Sequence, residues 1–226
     1  MAATIRTKAT LPSTEEVVLC AKCTGKTAHV VLASVHLEGW EPVDPVNTFS
    51  WDEVYQTIQC LGCKNISFRQ RSSNSEAYDI DENGQMVSEV TESLYPPRRE
   101  GVNGLGNDKY LLPPIVTRIY DETLTALSNA QPVLAGIGLR ALLEAVCKQK
   151  NAAGGTLNLQ IDNLVTQSVL TPTSAAFLHK IRSLGNAAAH EATPHTDSQL
   201  SLAMSVVEHL LQDVYILPQK MQAEFK

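Results

Sequence analysis

The chain of 226 residues lacks the features that identify several large classes of protein. We see no uninterrupted apolar run approaching the roughly 20 residues of a membrane-spanning helix, so we expect no membrane contact. The first residues carry no apolar stretch typical of a secretory signal peptide, which predicts a cytoplasmic and reducing environment. Aromatic residues make up 5%, and the net charge of −6 disfavours non-specific binding of nucleic acid through the field of the whole molecule.

Short motifs of common enzyme classes are also missing. No H-E-x-x-H or comparable ligand set is present for a catalytic zinc ion. The glycines from Gly101 to Gly106 lack the Gly-Lys-Ser/Thr ending of a P-loop, and there is no dinucleotide-binding fingerprint. These absences argue against a metal-dependent hydrolase, a P-loop nucleotidase and a dinucleotide-dependent enzyme.

Cysteines are few, but their spacing is informative. Four of the five form two C-x-x-C pairs: Cys20 with Cys23, and Cys60 with Cys63. Two residues between cysteines let both thiolates point into one tetrahedral site, so two pairs can supply the four ligands of a structural zinc ion. Disulfides and a redox pair are the alternatives; a reducing compartment disfavours the first, and two copies fit the second poorly. We therefore expect a closed zinc site that stabilises a fold.

His29, His36 and Cys147 also have side chains that can bind metals. His29 and His36 lie between the cysteine pairs, but four thiolates already complete a zinc site, so we expect surface or strand histidines. Cys147 stands alone in an apolar helical run and is predicted to be a buried, small apolar residue.

Composition and periodicity divide the chain into four segments. Residues 1–14 are predicted to be a flexible leader. Valine-rich and alternating stretches over residues 15–95 predict short antiparallel strands around the zinc. Prolines and glycines predict a linker at residues 96–112, and helical periodicity predicts a bundle over residues 113–226. The expected fold class is α+β, a zinc-ribbon-like β module followed by an all-α bundle.

Five helices are predicted in the bundle, at residues 115–130, 132–150, 157–168, 171–190 and 198–217. Thr171 before Pro172 is a helix start, because threonine caps the first turn and proline fits the first helical position. The last helix is expected to stop at Pro218, which has no N–H to continue the hydrogen-bond ladder.

Polar residues recur within the predicted second and fourth helices. Arg182, Asn186 and His190 lie four residues apart, which places them on one side of a helix. Arg140 and Glu144 have the same spacing in an apolar stretch, where a charged pair is costly unless it is partnered. Glu144 could pair with Arg140 in its own helix or with Arg182 across the bundle. The cluster is either a buried network that fixes helix register or a site of proton transfer.

The chain from about Tyr95 to Tyr215 resembles an uncharacterised prokaryotic family, the domain of unknown function numbered 4145. Zinc-binding cysteine pairs ahead of the helical part are also common in that family. The motifs that carry the resemblance are, in order, Tyr95-Pro96-Pro97, Leu112-Pro113-Pro114, Tyr120-Asp121-Glu122, Leu139–Glu144, Leu157 with Ile161-Asp162-Asn163-Leu164, and Ile181–His190.

That family is similar in turn to the HEPN superfamily of small helical bundles, many of which are metal-independent ribonucleases of prokaryotic toxin and antiphage defence systems. Their motif is an arginine, a polar residue, a few variable residues and a histidine, with two copies meeting across a homodimer. Asn186 and His190 match the polar and histidine positions. Gly185 occupies the usual arginine position, and Arg182 lies farther upstream on the same helical face. The resemblance implies these candidate catalytic residues: Arg182, Asn186 and His190, with Arg140 and Glu144 in support.

Two functions follow as expectations. The first is a defence or toxin protein that cleaves RNA without a metal ion and acts as a homodimer. Its histidine would move a proton at the ribose, and its arginine would stabilise charge on the phosphate. The second is a non-catalytic, zinc-containing adaptor that dimerises through the bundle and binds nucleic acid or a defence-system partner protein. Candidate phosphate contacts near the zinc are Lys22, Lys26, Lys64, Arg69 and Arg71.

Overall fold

The structure is a computed structural model that describes residues 4–10, 15–23, 25–80, 84–98 and 104–225. The chain forms two compact units, Met1–Arg98 and Arg99–Lys226. An antiparallel sheet in the first unit and a set of helices in the second confirm the predicted α+β class. The division between the units falls within the stretch predicted to be a linker.

The first unit is built on antiparallel strands. The described strands are β1 (Thr4–Thr10), β2 (Glu15–Leu19), β3 (Lys26–Pro42), β4 (Thr48–Cys60), β5 (Ile66–Asn74), β6 (Tyr78–Ile80), β7 (Met86–Ser88) and β8 (Thr91–Tyr95). The main sheet has the order β1-β3-β4-β5-β8, with β2 also paired to β3, while β6 and β7 form a separate hairpin. Long β3 and β4 form the centre because their alternating sequences support pairing from Pro42 opposite Thr48 to His29 opposite Cys60.

The predicted flexible leader is wrong for the part that the structure describes. Thr4–Thr10 forms β1, which pairs along its length with β3, from Thr4 opposite Trp40 to Thr10 opposite Ser34. The threonines and the charged Arg6 and Lys8 of β1 suit an edge strand. Residues 1–3 and 11–14 of the predicted leader lie outside the described residues.

The apolar core of the sheet unit is small. Its fully buried aliphatic side chains are Val18, Val31 and Ile58, against which the partly buried Leu94 packs. A core of this size supplies little hydrophobic stabilisation, at roughly 1.5–3 kcal/mol for each buried side chain. The unit therefore needs a further source of stability.

The second unit is helical. Its helices are α1 (Pro114–Ser128), α2 (Pro132–Gln149), α3 (Leu157–Thr166), α4 (Pro172–Glu191), α5 (Asp197–Leu211) and α6 (Leu217–Glu224), and a short 3-10 helix, Gly106–Leu111, precedes them within the predicted linker. Thr156, Thr171 and Thr196 cap α3, α4 and α5, because each side chain accepts a hydrogen bond from the backbone N–H three residues later. The core is continuous and includes the fully buried Leu139, Leu142 and Ile161.

The last predicted helix does not end at Pro218, so that expectation is wrong. The chain passes from α5 through a π-helical turn, Gln212–Ile216, into α6. Pro218 cannot donate the hydrogen bond that ideal α-helical geometry would give to the carbonyl of Val214. The Nζ atom of Lys150, the residue that follows α2, donates to that oxygen at 3.3 Å and lies 4.8 Å from the centre of the Tyr215 ring. A tertiary contact thus offsets the missing backbone donor.

One helical segment has the length and composition of a membrane span. It is the continuous helix from Asp197 to Glu224, and half of the most apolar stretch of this helix is buried within the protein. Leu200, Val207, Leu211 and Ile216 on this segment belong to the core of the helical unit. This segment is therefore a core helix, as its apolar stripe predicts.

Candidate functional site

The four paired cysteines converge at one end of the sheet. Cys20 and Cys23 follow β2, whereas Cys60 ends β4 and Cys63 lies in the next turn. The Sγ atoms of Cys20 and Cys63 are 3.5 Å apart, those of Cys23 and Cys60 are 3.8 Å apart, and all four lie within 4.8 Å of one another. Zinc–sulfur bonds of about 2.3 Å in a tetrahedron require sulfurs about 3.8 Å apart. The cluster is compatible with a zinc site.

Hydrogen bonds favour the thiolate form of Cys20 and Cys60. The N–H groups of Lys22 and Cys23 donate to the Sγ of Cys20 at 3.4 and 3.3 Å. Burial opposes ionisation of Cys60, but hydrogen bonds from the Thr27 hydroxyl and from backbone N–H groups lower the pKa of Cys60 to about 5. Hydrogen bonding to Cys63 and Cys20 raises the pKa of Cys23 to about 12. Adjacent sulfurs cannot all carry negative charge without a compensating cation, which a bound dication would supply.

The other candidate zinc ligands have different partners or lie in a different part of the protein. His29 is buried on β3, and its Nδ1 lies 2.8 Å from the carbonyl oxygen of Thr27. His36, farther along β3, has its Nε2 2.5 Å from a carboxylate oxygen of Asp52. Cys147 is buried in the helical core, where burial raises its pKa to about 11. The cysteine distances of 3.5 and 3.8 Å also exceed the roughly 2.05 Å of a disulfide bond.

Arg69 cannot serve as a phosphate contact near the cysteines. Its side chain is buried, and it forms ion pairs with Glu16 and with Glu92, the latter at 2.6 Å from Nε. The Nη1 atom also donates to the side-chain oxygen of Gln56 at 3.2 Å. This network ties β2, β5 and β8 together, so Arg69 stabilises the sheet unit.

A polar cavity of about 900 Å³ opens in the helical unit. It is formed by α2, by α4 and by the segment that begins α3. The charged and amide side chains in its lining include Arg140, Glu144, Lys148, Asn158, Arg182 and Asn186. Three cations face one carboxylate, so the cavity has a positive balance although the chain as a whole is acidic. Its charge favours an anionic ligand.

Both arginines of the cavity keep an unused donor. Arg140 forms an ion pair with Glu144 at 3.0 Å, so the predicted pairing of Glu144 occurs within its own helix. The Nε atoms of Arg140 and Arg182 are buried, and neither has a hydrogen-bond partner among the described residues. Buried donors without acceptors cost roughly 1–3 kcal/mol each, more for charged groups. Both residues line the cavity, so their guanidinium groups contribute to its positive charge.

His190 lies outside this cavity lining. Arg182 and Asn186 line the cavity, whereas His190 is an exposed residue in the last turn of α4. Two steps of four residues rotate His190 by about 80° from Arg182 and move it about 12 Å along the helix. His190 forms no hydrogen bond or ion pair within the described ranges of the chain. Its imidazole is therefore available to a ligand or a partner.

Gly185 allows α2 and α4 to approach closely, as its sequence context predicts. A Cβ atom at Gly185 would lie 2.4 Å from the Cβ of Arg140 and 2.9 Å from the carbonyl oxygen of Gly136. A Cβ atom at Gly136 would lie 2.9 Å from that of Ala188. The position before Asn186 is thus filled by the facing helix.

Comparison with protein families supports the resemblance for the helical unit. Residues 121–226 match the family model described as Domain of unknown function (DUF4145). The matched part contains every side chain of the polar cavity, and the four clustered cysteines lie outside it. No curated protein and no solved structure matches the chain.

Lys148 and Asn158 are among the cavity residues that the sequence reasoning missed. Lys148 continues the four-residue spacing of Arg140 and Glu144, so the same periodicity could have identified it. Asn158 offers no comparable signal, because it reaches the cavity only through the path of the chain between α2 and α3.

Proposed function

We propose that the protein is an RNA-binding protein whose helical unit holds RNA phosphate in the polar cavity. The observation that carries this proposal is the positive charge of the cavity lining, where Arg140, Lys148 and Arg182 outnumber the one carboxylate, that of Glu144. Guanidinium groups match phosphate oxygens in geometry and charge. The amides of Asn158 and Asn186 in the same lining can hydrogen-bond the ribose 2′-hydroxyl, which favours RNA over DNA.

Replacing Arg182 with methionine is expected to weaken RNA binding about tenfold, because one charged hydrogen-bond donor is worth about 1.5–3 kcal/mol. Methionine keeps an apolar side-chain stem, which limits effects on packing. Fluorescence anisotropy with a labelled, unstructured oligoribonucleotide, repeated at several salt concentrations, measures the change. The dependence of log K on log salt should also lose about one unit of slope.

The matched control is Arg118→Met, since Arg118 is an exposed arginine on α1 outside the lining of the polar cavity. This variant should bind RNA as the wild type does. Equal weakening in both variants would show that RNA responds to overall charge, and unchanged binding by Arg182→Met would remove the cavity from the proposal.

A second candidate function is metal-independent cleavage of RNA by a cytoplasmic homodimer of prokaryotic defence or toxin type. The exposed His190, which forms no hydrogen bond or ion pair among the described residues, supports it, because an imidazole can both accept and donate a proton. Arg182 and Asn186 would bind the phosphate, with Arg140 and Glu144 supporting the cavity wall. The distance along α4 implies that His190 would act at a different part of the ligand, or in a site completed by a second copy.

His190→Ala is expected to reduce such cleavage by about 10²–10⁴-fold, the range for removing a general acid or base. RNA would be incubated with zinc-loaded protein in buffer without added divalent cations, and the products would be separated by gel electrophoresis. His209→Ala, which removes an exposed histidine of α5, should cleave at the wild-type rate. If the wild type leaves RNA intact while binding it, the protein is a non-catalytic adaptor.

The proposal also includes a structural role for the cysteine cluster. We infer that Cys20, Cys23, Cys60 and Cys63 hold a structural zinc ion. Four thiolates leave no open position for a substrate, so the ion would stabilise the sheet and perform no chemistry.

A further inference from the structure

Three aromatic side chains form a row across the sheet of the first unit. Tyr55 on β4, Phe68 on β5 and Tyr95 on β8 are its members, and we call them the aromatic ladder. The ring centres of Tyr55 and Phe68 are 6.2 Å apart, and those of Phe68 and Tyr95 are 6.0 Å apart. Phe68 lies directly opposite Tyr95 in the register, and Tyr55 is its diagonal neighbour through Thr57. The three rings therefore share one face of the sheet.

This face is open although it is apolar. Phe68 and Tyr95 are 40% and 46% exposed, and their neighbours on the same face, Val35 and Ile66, are 40% and 55% exposed. The small core of the unit lies on the opposite face, where Ile58 and Val31 are buried. A contiguous exposed apolar patch of this kind marks an interaction surface more often than a feature of stability.

The charges near the ladder have one sign. On the ladder's face of β4, β5, β8 and residues 33–41 of β3, the described residues include Glu41 and Glu53 but no lysine or arginine, and Lys26 lies on this face at the other end of β3. The carboxylate of Glu53 accepts a hydrogen bond from the Tyr55 hydroxyl at 2.7 Å. Arg69 and Arg71 of β5 fall on the opposite face, since side chains alternate along a strand. A polyanion would meet carboxylates here without a compensating cation.

An extended ligand would find a pairing partner beside the ladder. β8, which carries Tyr95, is the terminal strand of the described sheet, and its described residues pair with β5 on one side only. A peptide can add to such an edge by backbone hydrogen bonds while its side chains reach the adjacent face. Guanidinium groups stack well on aromatic rings and pair with carboxylates.

We propose that the aromatic ladder binds an extended, arginine-bearing segment of a partner protein. The peptide lies along the outer edge of β8, its guanidinium groups stack on Phe68 and Tyr95, and Glu53 supplies the opposite charge. This surface is separate from the polar cavity, and the proposal does not depend on RNA binding.

Fluorescence anisotropy on the zinc-loaded full chain tests the proposal. The probes are fluorescein-labelled peptides of alternating arginine and glycine, of alternating lysine and glycine and of alternating glutamate and glycine, together with labelled oligouridylate. We expect the arginine peptide to bind, the lysine peptide to bind several-fold more weakly and the glutamate peptide not to bind. Phe68→Ser should weaken binding of the arginine peptide at least tenfold, and Glu53→Gln about threefold to tenfold, because it removes charge and keeps a hydrogen-bond acceptor.

Val46→Ser is the matched control, since Val46 is 89% exposed in the turn between β3 and β4, away from the ladder, and should leave binding unchanged. Zinc content and tryptophan fluorescence would show that each variant is folded. No binding of the arginine peptide, or equal binding by wild type and Phe68→Ser, would overturn the proposal. Loss of oligouridylate binding in Phe68→Ser but not in Arg182→Met would assign the face to nucleic acid instead.

Discussion

Replacing Cys60 with serine is expected to abolish zinc binding and to unfold the sheet unit. A structural zinc site contributes on the order of 10 kcal/mol, which is comparable with the whole stability of a typical domain. The sheet unit buries few aliphatic side chains, chiefly Val18, Val31 and Ile58, so its core cannot replace that contribution. Inductively coupled plasma mass spectrometry would measure the zinc-to-protein ratio, which should fall from about one to zero.

Tryptophan fluorescence reports on this unit alone, because Trp40 and Trp51, both in the sheet, are the two tryptophans of the chain. The unfolding transition of the sheet unit, followed by this fluorescence, should disappear in Cys60→Ser. It should also disappear in the wild type after treatment with a strong zinc chelator. Cys147→Ala is the matched control, because Cys147 lies in the helical core and should not change zinc content. One equivalent of zinc retained by Cys60→Ser would contradict the four-cysteine site.

Replacing Gly185 with valine is expected to destabilise the helical unit by about 3 kcal/mol, at the upper end of overpacking in a core. The new side chain would meet backbone of α2, since its Cβ alone would lie 2.9 Å from the carbonyl oxygen of Gly136 and 2.4 Å from the Cβ of Arg140. Backbone cannot rotate away as a flexible side chain can. Thermal unfolding followed by circular dichroism at 222 nm should show a midpoint lower by roughly 10 °C.

Gly155→Val provides the control, because a Cβ atom at Gly155 would meet nothing within 4 Å. It should change the unfolding midpoint by little. If Gly185→Val is as stable as the wild type, α2 and α4 are not held at this distance. The same crowding means that an arginine introduced at position 185 could not point beside Asn186 without separating the two helices.

Local signals explain why the main elements could be predicted. A threonine cap followed by Pro172 began α4 as expected, and glycine at position 185 indicated close packing of two helices before the partner was known. The strand pairing of the leader was not predictable in the same way. β1 exists through its pairing with β3, some 30 residues away, and its own sequence is short and polar.

In the candidate site, too, some residues could be predicted from local patterns and others could not. Four-residue spacing identified Arg182 and Asn186 as neighbours, and both line the cavity. The same spacing suggested His190 as a third member, but a straight helix turns it away and extends it beyond the cavity lining. Charge alone suggested Arg69 as a phosphate contact, whereas in the sheet its guanidinium group forms ion pairs with Glu16 and Glu92. Spacing therefore identifies residues on one side of a helix, but it does not show which part of that helix borders the cavity.

The sequence by itself determined the grouping of the four paired cysteines, the α+β class and the helix starts, because spacing, capping and periodicity act over a few residues. Only the tertiary structure decided that Arg140 and Arg182 share one cavity and that Tyr55, Phe68 and Tyr95 form a row. It also placed Lys150 beside the carbonyl that Pro218 leaves without its usual donor. These outcomes depend on helix approach and strand register, which join residues far apart in the chain.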